Sequence, residues 1–127
     1  MKSSWETVTV DNSAMGLYLS RPEGCGPFAA IIVIQNQDGV RDFTQEMTRR
    51  VARAGYFGIA PQLYHREGEP QTPERTASIK DSRNDINVLN DIDATIDFLR
   101  GCAEADTRNL GIVGFCMGGR IAFLNGP

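Results

Sequence analysis

The residues best suited to chemistry lie together near the end of the chain, in the segment Gly114-Phe115-Cys116-Met117-Gly118-Gly119. This segment follows a short apolar run, residues 110–113, and precedes residues compatible with a helix. The pattern predicts a strand, a sharp turn and a helix, with Cys116 at the apex of the turn. Glycines at 114 and 118 suit such a turn because a Cβ there would crowd the chain where strand and helix nearly touch.

The turn would place the sulfur of Cys116 at the N-terminal end of the following helix. The free N–H groups and the positive end of the helix dipole favour a thiolate there and stabilise a developing oxyanion. We therefore interpret Cys116 as a nucleophile; the alternative is a small buried hydrophobic residue. That alternative suits Cys25, in a Gly/Pro-rich turn, and Cys102, at the end of a predicted helix, better than it suits Cys116.

Other polar residues favour weaker interpretations. His65 is the only histidine and lies in an irregular stretch, so we expect a surface histidine rather than a catalytic one. Arg66, Arg75 or Arg83 could hold a substrate carboxylate, because arginine pairs with carboxylates through two hydrogen bonds.

The acidic residues of one predicted helix are interpreted as a solvated face rather than as a metal site. They are Asp81, Asp85, Asp91, Asp93 and Asp97. No zinc or redox spacing, phosphate-binding loop or dinucleotide fingerprint occurs in the sequence. We therefore expect no metal and no cofactor.

Length and composition set further bounds. The 127 residues allow one domain at most, which we assign to residues 1–127. A net charge of −3 gives no reason to expect nucleic acid or an anionic membrane as a partner. No apolar run approaches the ~20 residues of a spanning helix, and the first residues contain no apolar signal segment. Three cysteines without regular spacing favour a reducing compartment, so we expect a cytoplasmic protein.

Hydrophobic patterning predicts strands and helices in alternation. Residues 7–10 and 15–19 alternate around a turn cluster at 11–13, which predicts an N-terminal β-hairpin. The apolar run 28–34 is typical of a strand buried on both faces. A helix over 42–54 with Phe43, Met47 and Val51 on its apolar face, a strand over 56–60 and a helix over 82–102 follow. Residues 62–80 are predicted to form a long loop or lid, and a turn at 106–108 precedes a strand at 109–114.

This alternation predicts an α/β fold of three layers, with a mainly parallel sheet after the hairpin. The elbow, residues 114–119, indicates which kind of α/β sheet to expect. It is that of an α/β-hydrolase, and 127 residues would hold only the first part, a truncated α/β-hydrolase fold.

Several separated stretches together resemble the dienelactone hydrolase family of α/β-hydrolases. The elbow is close to that family's G-F-C-x-G-G, in which cysteine stands where most α/β-hydrolases have serine. Residues 54–56 and 60–64, Ala-Gly-Tyr and Ala-Pro-Gln-Leu-Tyr, are similar to its A-x-G-Y and A-P-D-L-Y blocks. Residues 31–42 resemble its third strand and the loop that follows. The resemblance implies a cysteine hydrolase that acts on a small ester or lactone.

Carried over by position, the resemblance makes Cys116 the catalytic nucleophile. The backbone N–H groups of Met117 and Gln37 would form the oxyanion hole. Asn36 falls at a substrate-adjacent position where the best-known members carry a glutamate. An amide cannot accept the thiol proton as a carboxylate does, so the chain departs from the family at the activating group.

A second departure concerns the catalytic relay. In the family an aspartate and a histidine follow the cysteine well downstream, whereas this sequence has eleven residues after Cys116, with no acid and no histidine among them. We therefore expect impaired turnover. Two alternatives are a non-catalytic relative that acts as a binding or oligomerisation module, and a redox-active or electrophile-reactive protein that uses Cys116 alone.

Oligomeric state is the last expectation. If the sheet ends at the elbow strand, residues 109–113 form an apolar edge strand, and such an edge invites pairing with another chain. We therefore predict a homodimer or larger assembly, joined through the exposed edge of the elbow strand or through the terminal helix.

Overall fold

A computed structural model describes residues 1–66 and 85–114 of the chain. The described residues form β1 (Lys2–Val10), β2 (Ser13–Arg21), β3 (Phe28–Ile34), α1 (Asp42–Arg53), β4 (Phe57–Pro61), α2 (Asp85–Arg100) and β5 (Ala105–Gly114). The strands make one sheet in the order β1-β2-β4-β3-β5. β1 pairs antiparallel with β2 and β2 with β4, whereas β3 pairs parallel with both β4 and β5. The predicted α/β fold, with a hairpin followed by parallel strands, is confirmed.

The N-terminal hairpin is confirmed and is longer than its alternating residues predict. β1 and β2 pair over their full length, from Lys2 opposite Arg21 to Val10 opposite Ser13. The two connecting residues, Asp11 and Asn12, both have left-handed backbone, with φ of 51° and 64°. Aspartate and asparagine tolerate this conformation better than most residues, and two such residues match the twist of a tight hairpin.

The two helices cover opposite faces of the sheet. Tyr18 and Val33 face α1, where Met47 and Val51 pack against them. Their strand neighbours point the other way, because successive side chains of a strand alternate between faces. Leu17, Leu19, Ile32 and Ile34 therefore join the main core with Val88, Ile92 and Leu99 of α2. The result is the expected helix–sheet–helix arrangement of three layers.

The buried face of α1 is narrower than the predicted one. Phe43 is 46% exposed, and the buried residues of the helix are Thr44, Thr48 and Ala52. The hydroxyl of Thr48 donates to the carbonyl of Thr44 at 2.7 Å, so this buried polar group is satisfied within the helix. Small residues let the helix approach the sheet closely. Phe43 was therefore wrongly assigned to the apolar face.

β5 contains the turn that was predicted to precede it. Pairing with β3 jumps from Ala29 opposite Asp106 to Ala30 opposite Leu110, so residues 107–109 bulge out of the ladder. The carboxylate of Asp106 stabilises the bulge by accepting hydrogen bonds from the N–H of Arg108 at 3.0 Å and the amide of Asn109 at 2.9 Å. β5 lies at one edge of the described sheet. Pairing of that edge with a second copy stays a prediction.

A close approach between α1 and β4 provides a test of the packing. A Cβ on Gly58 would lie 2.9 Å from the carbonyl oxygen of Thr48, whereas one on Gly111 in β5 would lie 3.9 Å from its nearest neighbour. Gly58→Ala should lower the free energy of unfolding by about 1–3 kcal/mol, because backbone must move apart. Gly111→Ala, the matched control, should change it little. Equal urea midpoints for the two variants would contradict this packing.

Candidate active site

The carboxyl ends of the three parallel strands meet at one edge of the sheet. β3 ends at Ile34, β4 at Pro61 and β5 at Gly114, and Ile34 lies directly opposite Gly114. The loops that follow these strands therefore start side by side, at the edge where open α/β sheets bind their ligands. Cys116 and Met117, the predicted nucleophile and first oxyanion donor, follow Gly114 and lie outside the described residues, as does most of the predicted lid, residues 67–80.

Asn36 and Gln37 lie in a tight turn after β3. The carbonyl of Asn36 accepts a hydrogen bond from the N–H of Gly39 at 3.1 Å, which closes the turn. The side-chain oxygen of Asn36 accepts from the N–H of Asp38, also at 3.1 Å. Gly39 adopts a φ of +86°, which glycine reaches without strain. Asn36 thus stabilises the turn that carries Gln37.

The direction of the Gln37 N–H follows from this turn. The peptide between Asn36 and Gln37 is trans, so its N–H points away from its C=O. That C=O faces Gly39 inside the turn, and the N–H of Gln37 therefore faces outward. Gln37 is exposed, and within residues 1–66 and 85–114 its N–H has no hydrogen-bond partner. The predicted oxyanion donor is thus an available donor at the expected edge of the sheet.

The loop after β4 contacts the Gln37 turn through Tyr64. The phenol of Tyr64 donates to the carbonyl oxygen of Gln37 at 2.8 Å, and the Tyr64 side chain is fully buried. The N–H of the preceding residue, Leu63, donates to the side-chain oxygen of Gln35 at 2.9 Å. Two hydrogen bonds therefore tie the loop after β3 to the loop after β4.

Gln35 and Tyr64 are site residues that the sequence interpretation did not single out. Gln35 is fully buried, and its side-chain nitrogen has no hydrogen-bond partner in the part of the chain that the structure describes. The available signal was the position of Gln35, a polar residue directly after a strand buried on both faces. The signal for Tyr64 was its place in the Ala-Pro-Gln-Leu-Tyr block.

His65 is buried, so the expectation of a surface histidine was wrong. Its side chain is 1% exposed. One ring nitrogen, Nε2, lies 2.9 Å from a carboxylate oxygen of Asp91, and the other, Nδ1, lies 2.8 Å from the hydroxyl of Ser13. With both nitrogens engaged inside the fold, His65 has no nitrogen left to serve a substrate. The structure thus supports a packing role for this histidine.

Asp91 corrects the interpretation of the acidic helix. Its side chain is fully buried and accepts hydrogen bonds from His65 and from both terminal nitrogens of Arg66, at 2.9 and 3.0 Å. Asp97 in the same helix is 72% exposed and fits the predicted solvated face. The helix begins at Asp85 in the described chain, and Ile86 in its first turn is 72% exposed. The buried apolar stripe of the helix contains Val88, Ile92 and Leu99, with Asp91 beside them.

Arg66 completes this buried group by joining α2 to the hairpin turn. It donates to Asp91 and, at 2.6 Å, to Asp11. Burial alone would lower the pKa of Arg66, but its hydrogen bonds to Asp91 and Asp11 outweigh burial and raise the pKa. The hydrogen bond from Arg66 lowers the pKa of Asp11. Arg66 is therefore committed to two carboxylates of the protein itself.

The family model of the dienelactone hydrolase family matches residues 15–126 of this chain. The chain belongs to the dienelactone hydrolase family.

A sequence relative and a solved structure each match nearly the whole of this chain. A provisionally named carboxymethylenebutenolidase of Methylorubrum extorquens is 36% identical over 121 residues, which cover 92% of this chain and 42% of the relative. The crystal structure of a provisional dienelactone hydrolase from Klebsiella pneumoniae superposes with a TM-score of 0.88 at 31% identity, covering 97% of this chain and 53% of that one. This dienelactone hydrolase family chain therefore spans about half the length of the relatives it matches.

A dienelactone hydrolase-like promiscuous phosphotriesterase from metagenomic libraries has the same fold. Its TM-score is 0.84 at 19% identity, over 96% of this chain and 52% of that one.

Among the residues that the structure describes, no three metal-ligating side chains come together. Neither described helix is long and apolar enough to cross a membrane.

The two cysteines in the described part of the chain, Cys25 and Cys102, lie in different environments. Cys25 is exposed, and Cys102 is half-buried with its thiol donating to the carbonyl of Phe98 at 3.4 Å. Burial raises the pKa of Cys102, so its reactive thiolate is disfavoured. Cys25 is accessible, and any assay of thiol reactivity must therefore remove it.

The buried carboxylate of Asp91 leads to a stability prediction with a matched control in the same helix. Asp91→Asn removes the charge that Arg66 and His65 share and leaves the guanidinium of Arg66, which is 18% exposed, paired with Asp11. It should lower the free energy of unfolding by about 3 kcal/mol, the lower end of the range for breaking a buried ion pair. Asp97→Asn makes the same chemical change at an exposed position and should change the free energy little. Urea denaturation of both variants tests this, and similar values would refute a structural role for Asp91.

Proposed function

We propose that this chain is the N-terminal part of a cysteine hydrolase that acts on a small ester or lactone. Cys116 is the nucleophile, and the N–H groups of Gln37 and Met117 stabilise the oxyanion. Relatives named as carboxymethylenebutenolidases, and a probable lactonase of Bradyrhizobium at 29% identity, support a lactone as the substrate class. The elbow motif at 114–119 supports cysteine rather than serine as the nucleophile.

One observation carries this proposal, namely the pairing of Ile34 with Gly114. Neighbouring strands lie about 4.8 Å apart, so the two loops that follow paired residues of parallel strands begin side by side. Gln37 is three residues beyond Ile34, and Cys116 is two residues beyond Gly114. This register supports a reaction centre between the turn of residues 36–39 and the elbow.

The proposed reaction begins with attack of the Cys116 thiolate on the carbonyl carbon of the substrate. As the C–S bond forms, the π electrons move onto the carbonyl oxygen, where two backbone N–H groups stabilise the charge. Collapse of this intermediate breaks the C–O bond, and the departing alkoxide takes a proton from water or from a nearby acid. The product is a thioester, which water must hydrolyse to restore the thiol.

Hydrolysis of the thioester is the step for which the described residues offer no evident general base. A general base normally activates the attacking water. The only histidine in the sequence, His65, has both ring nitrogens bound to Ser13 and Asp91. Asn36 is an amide and cannot accept the thiol proton, so we propose that the helix predicted from sequence after the elbow stabilises the thiolate. We therefore propose that this chain by itself is acylated faster than it is deacylated.

The alternative is a non-catalytic relative that acts as a binding or oligomerisation module. The observation that favours it is the amide at position 36, which accepts from the N–H of Asp38 within its own turn. In such a protein the elbow would serve the fold, and Cys116 would behave as an ordinary thiol. The acylation experiment below separates the two functions.

The proposed nucleophile is tested by acylation with p-nitrophenyl acetate. The background is Cys25→Ser with Cys102→Ala, so that Cys116 is the only thiol. We expect a burst of p-nitrophenolate equal to the protein concentration, followed by slow turnover, and no burst after Cys116→Ala. Intact mass should increase by one acetyl group in the burst phase. A protein with Cys116 intact but without a burst would overturn the catalytic proposal and favour the binding module.

The proposed oxyanion donor is tested by removing a single N–H. Gln37→Pro deletes it at the second position of the 36–39 turn, where proline is well tolerated. The burst rate should fall roughly 100-fold, as it does when an oxyanion donor is lost elsewhere. Gln37→Ala keeps the N–H and should lose far less. Equal losses in the two variants would mean that the side chain of Gln37, and not its backbone, is what matters.

A further inference from the structure

We propose that Tyr64 is a positioning residue for the oxyanion donor. Its hydroxyl holds the carbonyl of Gln37 and so keeps the N–H of Gln37 directed at the reaction centre. This inference rests on the proposed function, since it concerns how the proposed oxyanion hole is held in place. Tyr64 itself does not contact the reacting atoms in this proposal.

The turn of residues 36–39 is closed internally, and two of its carbonyls are bound from outside: that of Gly39, which accepts from the hydroxyl of Thr44 at 3.2 Å, and that of Gln37. Its own hydrogen bonds, from Gly39 to Asn36 and from Asp38 to the Asn36 side chain, fix its shape. They do not fix how the turn as a whole is tilted against the sheet. The bond from the Tyr64 hydroxyl to the Gln37 carbonyl joins the turn to a different loop, 27 residues later in the sequence. This bond therefore limits the tilt, and with it the direction of the N–H.

Tyr64 is suited to this task because it is held from both sides along the chain. The residue before it, Leu63, donates its N–H to the buried side chain of Gln35. The residue after it, His65, is bound to Asp91 of α2 and to Ser13 of the hairpin. The tyrosine ring is fully buried between these anchors. Because the Tyr64 hydroxyl is held in the core, its hydrogen bond fixes the exposed turn relative to the core.

The hydrogen bond from Tyr64 to Gln37 contributes more to the direction of the Gln37 N–H than to the stability of the fold. Gln37 is exposed, so water can replace the Tyr64 hydroxyl at its carbonyl once the hydroxyl is removed. A water molecule satisfies the oxygen but does not fix its position relative to the core. Loss of the hydroxyl should therefore slow the step that needs an aligned N–H while it leaves the fold and the thiol intact.

The test compares two reactions of Cys116 in the protein from which Cys25 and Cys102 have been removed. Acylation by p-nitrophenyl acetate passes through an oxyanion, whereas alkylation by iodoacetamide displaces iodide and forms no oxyanion. Tyr64→Phe should slow acylation on the order of 10-fold, less than complete loss of a donor, and change alkylation by less than about 2-fold. A defect in folding or in thiolate formation would slow both reactions together.

Tyr18→Phe is the matched control. Tyr18 is also a largely buried tyrosine, and its hydroxyl accepts a hydrogen bond from Arg49 at 2.9 Å on the α1 side of the sheet. This variant removes the same atom at a distance from the turn and should leave both reactions unchanged. In the Gln37→Pro background, Tyr64→Phe should cause no further loss, because the N–H that Tyr64 positions is already absent.

Three outcomes would overturn the inference. If the parent protein acylates and Tyr64→Phe acylates as fast as Tyr18→Phe, the positioning role fails and the proposed function stands. If Tyr64→Phe slows alkylation as much as acylation, its role is general structural support. If the parent protein shows no burst, the proposed function fails, and the positioning role fails with it.

Discussion

The site depends on one constraint, the position of β3 between two parallel neighbours. Ile32 pairs with Ile59 of β4 on one side and with Ile112 of β5 on the other. Because the three strands run in the same direction, their carboxyl ends and the loops that follow converge on one edge. A shift of one residue in this register would turn the buried side chains of a strand toward the opposite helix layer. The core therefore sets the register, and the register sets which loops meet.

The buried carboxylate of Asp91 holds the loop that follows β4 at this edge of the sheet. Asp91 is fully buried, and a carboxylate without partners would not be tolerated there. Arg66 and His65, adjacent in sequence, both bind Asp91, and through Asp11 and Ser13 they also reach the hairpin turn. One acidic side chain thus connects α2, the loop after β4 and the N-terminal hairpin. Hydrogen bonds that satisfy a buried charge demand a defined geometry, and that geometry makes the loop a firm support for Tyr64.

Sequence patterning could predict the elements of this fold but not the group around Asp91. The hairpin, β3 and both helices follow from periodicity and turn residues, which are local signals. The aspartates of α2 look alike in sequence, and only the approach of Arg66 and His65 from a distant loop distinguishes Asp91 from Asp97. The same holds for α1. Phe43 has the right spacing for a buried face, yet the helix packs through Thr44 and Thr48, whose hydroxyls donate to the backbone carbonyls of Gly39 and Thr44.

The candidate site was partly predictable because its chemistry is divided between side chains and backbone. A nucleophile must be a particular side chain, so the sequence alone is enough to propose Cys116, in its glycine-rich motif, as the candidate. The proposed oxyanion donor is a backbone N–H, and every residue except proline supplies one. The identity of residue 37 therefore carries almost no signal.

The signal lies instead in the residues that orient this N–H. Asn36 and Gly39 close the turn, and Tyr64 binds the carbonyl of Gln37 from the next loop. A backbone donor loses no side-chain entropy when it is held, so a few hydrogen bonds are enough to preorganise it. Where the functional atom is a backbone N–H, the residues that reveal the site are its neighbours, and a search for chemically reactive side chains passes over them.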